Sequence, residues 1–176
     1  MKDIKLIEIL KTFDTDEMKS FRKFLTSPFI KSRRNIDSLL INLIPFHPEF
    51  DSDKLESKLI FKKIFPGEEF DEKKLNNLIT DLTRAAKDFI VHLTLEEDET
   101  ESLFFLLKGY YKRKLLKDNF SLMRSAEEKL VPGFSNLSEY FSKFRELNNL
   151  KTSFYTDEND FNKLMESEEK YFEVSA

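Results

Sequence analysis

Apolar residues recur every three or four positions through most of the chain, which is the period of an amphipathic α-helix. The clearest case predicts a helix of about six turns, with apolar positions at Leu75, Leu78, Ile79, Leu82, Ala86, Phe89, Ile90 and Leu93. Similar periods predict four shorter helices before it, and no stretch shows the two-residue alternation of a β-strand. The pattern therefore predicts an all-α protein.

Three similar stretches, FDTDEM, FDSDKL and FDEKKL, precede apolar periods. An Asp at the first boundary of a helix can accept hydrogen bonds from free backbone amides, and a preceding Phe can pack on the fourth helical residue. We predict that the aspartates cap three helices: Asp14, Asp51 and Asp71. The unequal spacing of the stretches argues against a repeat, and no Gly or distal Glu completes a calcium loop.

The chain is predicted to have two parts: 1–95, a bundle of about five helices, and 96–176, a region of antiparallel helical hairpins. The acidic run Glu96–Glu101 is interpreted either as a solvated link or as the start of the next helix. After Ser102, the stretch LFFLLKGYYKRKLLKDNF predicts one long helix that ends near Asn119. Short connections between such helices are typical of a tetratricopeptide-like (TPR-like) array, although the strict 34-residue signature is absent.

The last residues, EKYFEVSA, place Tyr171 and Phe172 where little chain remains to cover them. Three interpretations stay open: the helix packs inward, the chain is a truncated part of a longer protein, or it forms a homo-oligomer through the C-terminal helix.

The composition excludes several kinds of chemistry. The absence of Cys excludes disulfides, thiolate metal sites and a Cys nucleophile. The three glycines stand far apart, so no phosphate-binding loop exists. His47 lies in a predicted loop, and His92 most simply pairs with Asp88 on a helix surface. We predict no catalytic residue, no metal ligand and no cofactor. No signal peptide or membrane-length apolar run is recognised, so we expect a cytoplasmic protein that does not enter a membrane.

The net charge of −4 is unevenly spread, with 17 basic and 16 acidic residues through Leu95 and 12 against 17 beyond it. Neither part is basic enough to indicate nucleic acid by charge alone. One acid-free segment nevertheless gathers six cations: Lys19, Arg22, Lys23, Lys31, Arg33 and Arg34. It is interpreted as a solvated corner between two helices, with binding of a phosphate backbone or an acidic peptide as the alternative.

Most of the 19 phenylalanines fall at core positions of the predicted helices. Adjacent aromatic residues on a helix cannot both face the core, and two such pairs occur at 104–105 and 110–111. We predict Phe104 and Tyr111 as the aromatic residues that face a partner.

The stretch FRKFLTSPFIKSRRNIDSLL, followed by LIFKKIFPGEEFDEKKLNNLITDLTRAAKDFI, resembles the N-terminal region of a family of uncharacterised bacterial all-helical proteins. The later stretch LLKGYYKRKLLKDNFSLMRSAEEKL is similar to the helix pair that follows in that family. The resemblance covers about the first three quarters of the chain. It implies a helical N-terminal region that leads into a longer helical array, and it implies no activity.

The favoured function is that of a non-catalytic scaffold or adaptor, which binds another protein through a groove between helices. One alternative is a module that binds nucleic acid or phosphate through the Lys19–Arg34 segment. A second alternative is a small-ligand binder or enzyme, which requires a deep pocket between helices that gathers polar groups, such as His92 or Arg84.

Overall fold

The computed structural model describes residues 5–30, 35–51, 55–130 and 137–175, with the side chains of 116–119, 161, 170–171 and 174–175 excepted. About 80% of the chain is helical, and all regular structure in the described ranges is helix. The α-helices are α1 (Lys5–Thr12), α2 (Thr15–Leu25), α3 (Ile36–Leu43), α4 (Ser57–Ile64), α5 (Glu72–Glu97), α6 (Glu99–Lys112), α7 (Leu116–Lys129), α8 (Leu137–Asp157) and α9 (Phe161–Ser175). The all-α fold class is confirmed.

The chain divides into two compact units, Met1–Leu93 and Thr94–Ala176. In the first unit, the apolar faces of α1 to α5 enclose one core, which also holds loop residues such as Phe50. Its aromatic centre is formed by Phe13, Phe21 and Phe89, whose rings lie 5.2–5.5 Å apart. Aromatic pairs at this spacing add to the stability that comes from burying their area.

Asp14 caps α2 as predicted. Its Oδ1 accepts hydrogen bonds from the amides of Asp16 and Glu17, at 2.7 and 2.8 Å. The amide of Asp14 donates in return to Glu17 Oε2 at 2.7 Å, which completes a capping box. Asp71 also caps its helix, since its Oδ1 accepts from the Lys74 amide at 2.9 Å. The sequence pattern located these two helix starts correctly.

The predicted cap at Asp51 is wrong. Helix α4 begins at Ser57, and Glu56 precedes it without a capping side-chain hydrogen bond. Phe50, just before Asp51, has a φ of 51° and a side chain that is 1% exposed. Asp51 is therefore not the residue that precedes α4, and residues 52–54 lie outside the described residues.

The acidic run joins two helices. Helix α5 ends at Glu97 and α6 begins at Glu99, with the Oδ1 atom of Asp98 accepting from the Glu101 amide at 2.8 Å. The interpretation that the later half of the run opens the next helix is therefore confirmed.

The predicted long helix from Ser102 to Asn119 is wrong, because the chain reverses between α6 and α7. Lys114 has a φ of 57°. The amides of Lys114 and Leu115 donate to the carbonyls of Tyr111 and Tyr110, each at 3.0 Å, which is the hydrogen-bond pattern of a Schellman helix end. Lysine takes the left-handed position that glycine usually fills, so the sequence gives little sign of this break.

A second reversal of the same type joins α8 to α9. Asn159 has a φ of 56°, and the Asp160 amide donates to the Tyr155 carbonyl at 2.9 Å. The second unit therefore consists of two antiparallel hairpins, α6/α7 and α8/α9, with α8 also in contact with α6 and α7. Its core contains Phe104, Leu107, Met123, Ala126, Leu147 and Phe154.

Candidate functional site

The described part of the basic segment is partly neutralised by nearby carboxylates. Lys19 Nζ lies 2.7 Å from Asp16 Oδ1, and Arg22 Nε lies 3.6 Å from Asp37 Oδ1. The hydrogen bond from Lys19 lowers the pKa of the Asp16 carboxyl below its ordinary value. Lys23 is exposed. The remaining predicted cations lie outside the described residues: Lys31, Arg33 and Arg34.

The prediction for Phe104 is wrong. Its side chain is 0% exposed and belongs to the core of the second unit, with Lys143 Nζ 5.0 Å from the ring centroid. Phe105 is the exposed member of the pair, at 52%. The sequence showed that one of the two must leave the core, but an adjacent pair does not by itself say which one.

Tyr111 is half-buried, and its polar end contacts another helix of the same unit. Its hydroxyl donates to Asp157 Oδ2 at 2.9 Å, which ties the end of α6 to the end of α8. This bond is the main reason that the pKa of Tyr111 lies above its ordinary value. The predicted role of Tyr111 in facing a partner stays a prediction, and the structure gives the hydroxyl an internal role.

Helices α7, α8 and α9 enclose a small polar cavity of about 10 Å³. Its lining includes the ion pair of Lys151 with Glu127, and the Ser167 hydroxyl, which donates to Asn148 Oδ1 at 2.8 Å. This volume holds one water molecule. It cannot hold a metabolite.

Two larger depressions lie where α4 and α5 begin, with volumes of about 320 and 540 Å³. Both are lined by Phe70, Glu72 and Asn76. They are open to solvent, and Phe70 is itself 39% exposed. Sites for small molecules usually enclose most of the ligand surface, which these shallow depressions do not.

The polar residues named for an inter-helix pocket lie elsewhere. His92 is exposed, with its ring stacked on Phe24 at 5.6 Å between centroids. Arg84 Nη1 lies 3.8 Å from Asp81 Oδ1 on the same helix. Within the described residues, no group of three His, Asp or Glu side chains is placed to hold a metal ion. No described helix is long and apolar enough to cross a membrane.

The outer face of α9, the C-terminal helix for which the sequence left self-association open, exposes Met165 and Phe172 at 61% and 66%. These residues are seven apart, so they lie on the same side of the helix, about 10 Å from each other along its axis. Four exposed glutamates of the same helix surround them: Glu166, Glu168, Glu169 and Glu173. We call these six residues the α9 face.

The inner side of α9 is fixed to the rest of the second unit. Ser167 bonds to Asn148 on α8, and Lys163 Nζ lies 4.4 Å from the ring centroid of Phe120 on α7. Lys163 Nζ also lies 2.9 Å from Asp160 Oδ2, and their hydrogen bond lowers the pKa of that carboxyl. Ser167 and Lys163 therefore mark the side of α9 that contacts α8 and α7.

Comparison of the chain with known protein families, with curated proteins and with solved structures finds no match. The surfaces of the protein are therefore the evidence for its function.

Proposed function

We propose that the protein is a non-catalytic helical adaptor that binds another protein through the surface of its second unit. The observation that carries this proposal is the exposure of large apolar side chains in the second unit. Among its described residues, eight are exposed: Phe105, Leu106, Leu115, Phe120, Leu137, Phe141, Met165 and Phe172.

The contrast with the first unit strengthens the proposal. Among the described residues, 22 buried apolar side chains form the core of the first unit and six form that of the second. Exposed apolar area loses the free energy that its burial would provide. Surfaces of this kind on a folded protein commonly mark sites where a partner binds.

The arrangement of α6 and α8 supports a TPR-like array as part of the proposal. Ion pairs join Glu101 to Lys143 and Lys108 to Glu146. The earlier residue of α6 thus pairs with the earlier residue of α8, and the later residue with the later. The two helices therefore run parallel, each as the first helix of a hairpin. TPR arrays stack hairpins in this way and bind peptides along the resulting surface. The resemblance to the uncharacterised bacterial family also implies a longer helical array.

The alternatives receive less support. In the basic segment, Lys19 and Arg22 already face carboxylates, which weakens their attraction for a phosphate backbone. The small cavity between α7, α8 and α9 has room for about one water molecule, and the depressions near Phe70 are shallow. A protein partner fits the exposed apolar surface better than either a nucleic acid or a small ligand.

The cellular setting is also part of the proposal. We place the adaptor in the cytoplasm because no signal peptide is recognised in the sequence, and in a bacterium because of the family that the sequence resembles. Self-association through the C-terminal helix is the competing use of the same exposed surface.

The test is a pull-down with the tagged protein from an extract of the source organism, divided into nuclease-treated and untreated halves and read by mass spectrometry. We expect a protein partner in near-stoichiometric amount in both halves. Recovery that collapses after nuclease treatment would contradict the adaptor proposal and favour the Lys19–Arg34 segment. Failure to recover any protein from either half would also contradict it.

A further inference from the structure

We propose that the α9 face binds a basic amphipathic helix of the partner. This inference rests on the proposed function and names the surface and the chemistry of the partner. Its evidence is the placement of Met165 and Phe172 on one side of α9 with exposed glutamates beside them.

The apolar part of the face has helical spacing. Met165 and Phe172 stand two turns apart on one side of α9. A partner helix that lies along α9 can place apolar residues of the same spacing against them, as in the packing of an amphipathic helix against a helical surface. Because both side chains are more than half exposed, such packing would remove much of their surface from water.

The charges of the face select the partner. Glu168 and Glu169 lie between the two apolar residues in sequence, while Glu166 and Glu173 follow them by one position each. The same stretch contains one basic residue, Lys170, so acidic residues outnumber basic ones four to one from Met165 to Glu173. Lys163, one turn earlier, is already paired with Asp160. A partner with Lys or Arg beside its apolar stripe would complement this charge, which favours both association rate and specificity.

The same charges argue against a second copy of α9 as the occupant. Antiparallel or parallel pairing of two α9 faces would bring glutamates opposite glutamates. Like charges at such positions destabilise helix pairs. A basic helix meets no such repulsion, so it is the occupant to which we commit.

The test uses two fluorescent synthetic helical peptides of about 18 residues, a length that spans roughly five turns. They share one leucine stripe, flanked by lysines in the first peptide and by glutamates in the second. Fluorescence anisotropy with the full chain should give at least tenfold tighter binding of the basic peptide, a difference that shrinks as salt is raised.

Variants of the α9 face separate its two features. Phe172→Glu should weaken binding of the basic peptide by more than tenfold, because it removes an apolar contact at the centre of the surface. Glu168→Lys with Glu169→Lys should abolish the preference for the basic peptide while both apolar residues remain. The matched control is Val91→Glu, which changes an apolar residue of α5 that is 58% exposed and should leave binding unchanged. Circular dichroism should show the same helical content for all variants.

Three results would overturn the inference. The two peptides could bind equally, Phe172→Glu could leave the basic peptide bound, or ultracentrifugation could show a dimer of the chain that Phe172→Glu dissociates. Failure here is distinguishable from failure of the adaptor proposal. A protein captured equally by the wild type and by Phe172→Glu would keep the adaptor function and remove the α9 face as its site.

Discussion

Replacement of Lys114 by glycine should stabilise the second unit. Lys114 occupies the left-handed region with a φ of 57° at the end of α6. For an L-residue with a side chain, this conformation costs about 1–2 kcal/mol. Glycine avoids that cost and loses about 0.5–1 kcal/mol through its greater freedom in the unfolded chain. The net expectation is a gain of about 0.5–1 kcal/mol in the free energy of unfolding.

The sign of this change distinguishes the hairpin from a continuous helix. In a helix interior, glycine costs about 1 kcal/mol relative to a good helix former. Lys112→Gly is the matched control, because Lys112 is the exposed last residue of α6 and has helical conformation. We expect Lys112→Gly to lower stability by about 0.5–1 kcal/mol and Lys114→Gly to raise it.

Urea unfolding followed by tyrosine fluorescence reports this unit selectively. The chain has no Trp, and all five of its tyrosines lie in the second unit: Tyr110, Tyr111, Tyr140, Tyr155 and Tyr171. With a slope of about 1–3 kcal/mol per molar urea, the midpoints of the two variants should differ by about 0.3 M or more. Equal destabilisation by both substitutions would refute the reversal between α6 and α7.

Three further predictions concern single residues. Asp14→Ala removes the side chain that accepts two amide bonds at the start of α2 and should cost about 1–2 kcal/mol in urea unfolding followed by circular dichroism; no change would contradict the capping box. His47 Nε2 donates to the Phe13 carbonyl at 2.7 Å, so His47→Ala should lower stability by about 1–2 kcal/mol, with the loss read from the same titration. The raised pKa of Tyr111 means that its bond to Asp157 stabilises the fold below the ordinary tyrosine pKa near 10, and that this contribution is lost as pH rises through the higher folded value. Tyr111→Phe should therefore lose less stability than the wild type as pH rises above about 10, and parallel pH profiles would contradict this reasoning.

The sequence predicts the start of a helix where the capping residues are close together in the chain. Asp14 and Glu17 stand three positions apart, and the same two residues form the capping box. The cap at Asp51 failed although Phe50 is buried in the core just as Phe13 is. The two stretches differ in their backbone, since Phe50 has a φ of 51° and α4 begins only at Ser57. The local pattern of residue types does not distinguish them.

The reversal at Lys114 could not be predicted for a different reason. Helix ends are usually marked by glycine or proline, and here a lysine adopts the left-handed conformation between two apolar stretches. The choice of Phe104 over Phe105 as the outer aromatic residue was a separate error, since the pair alone does not say which member is buried. The sequence indicated that Phe172 is poorly covered, but it did not indicate that Met165 is exposed with it.

The most direct measurement of the central claim compares capture by the wild type, Phe172→Glu and Leu59→Glu in one quantitative pull-down after nuclease treatment. Leu59 is the control, since it is 44% exposed on α4 in the first unit. The account predicts a stoichiometric protein that the wild type and Leu59→Glu retain and that Phe172→Glu loses. Equal capture by all three proteins, or loss only with Leu59→Glu, would contradict binding through the α9 face.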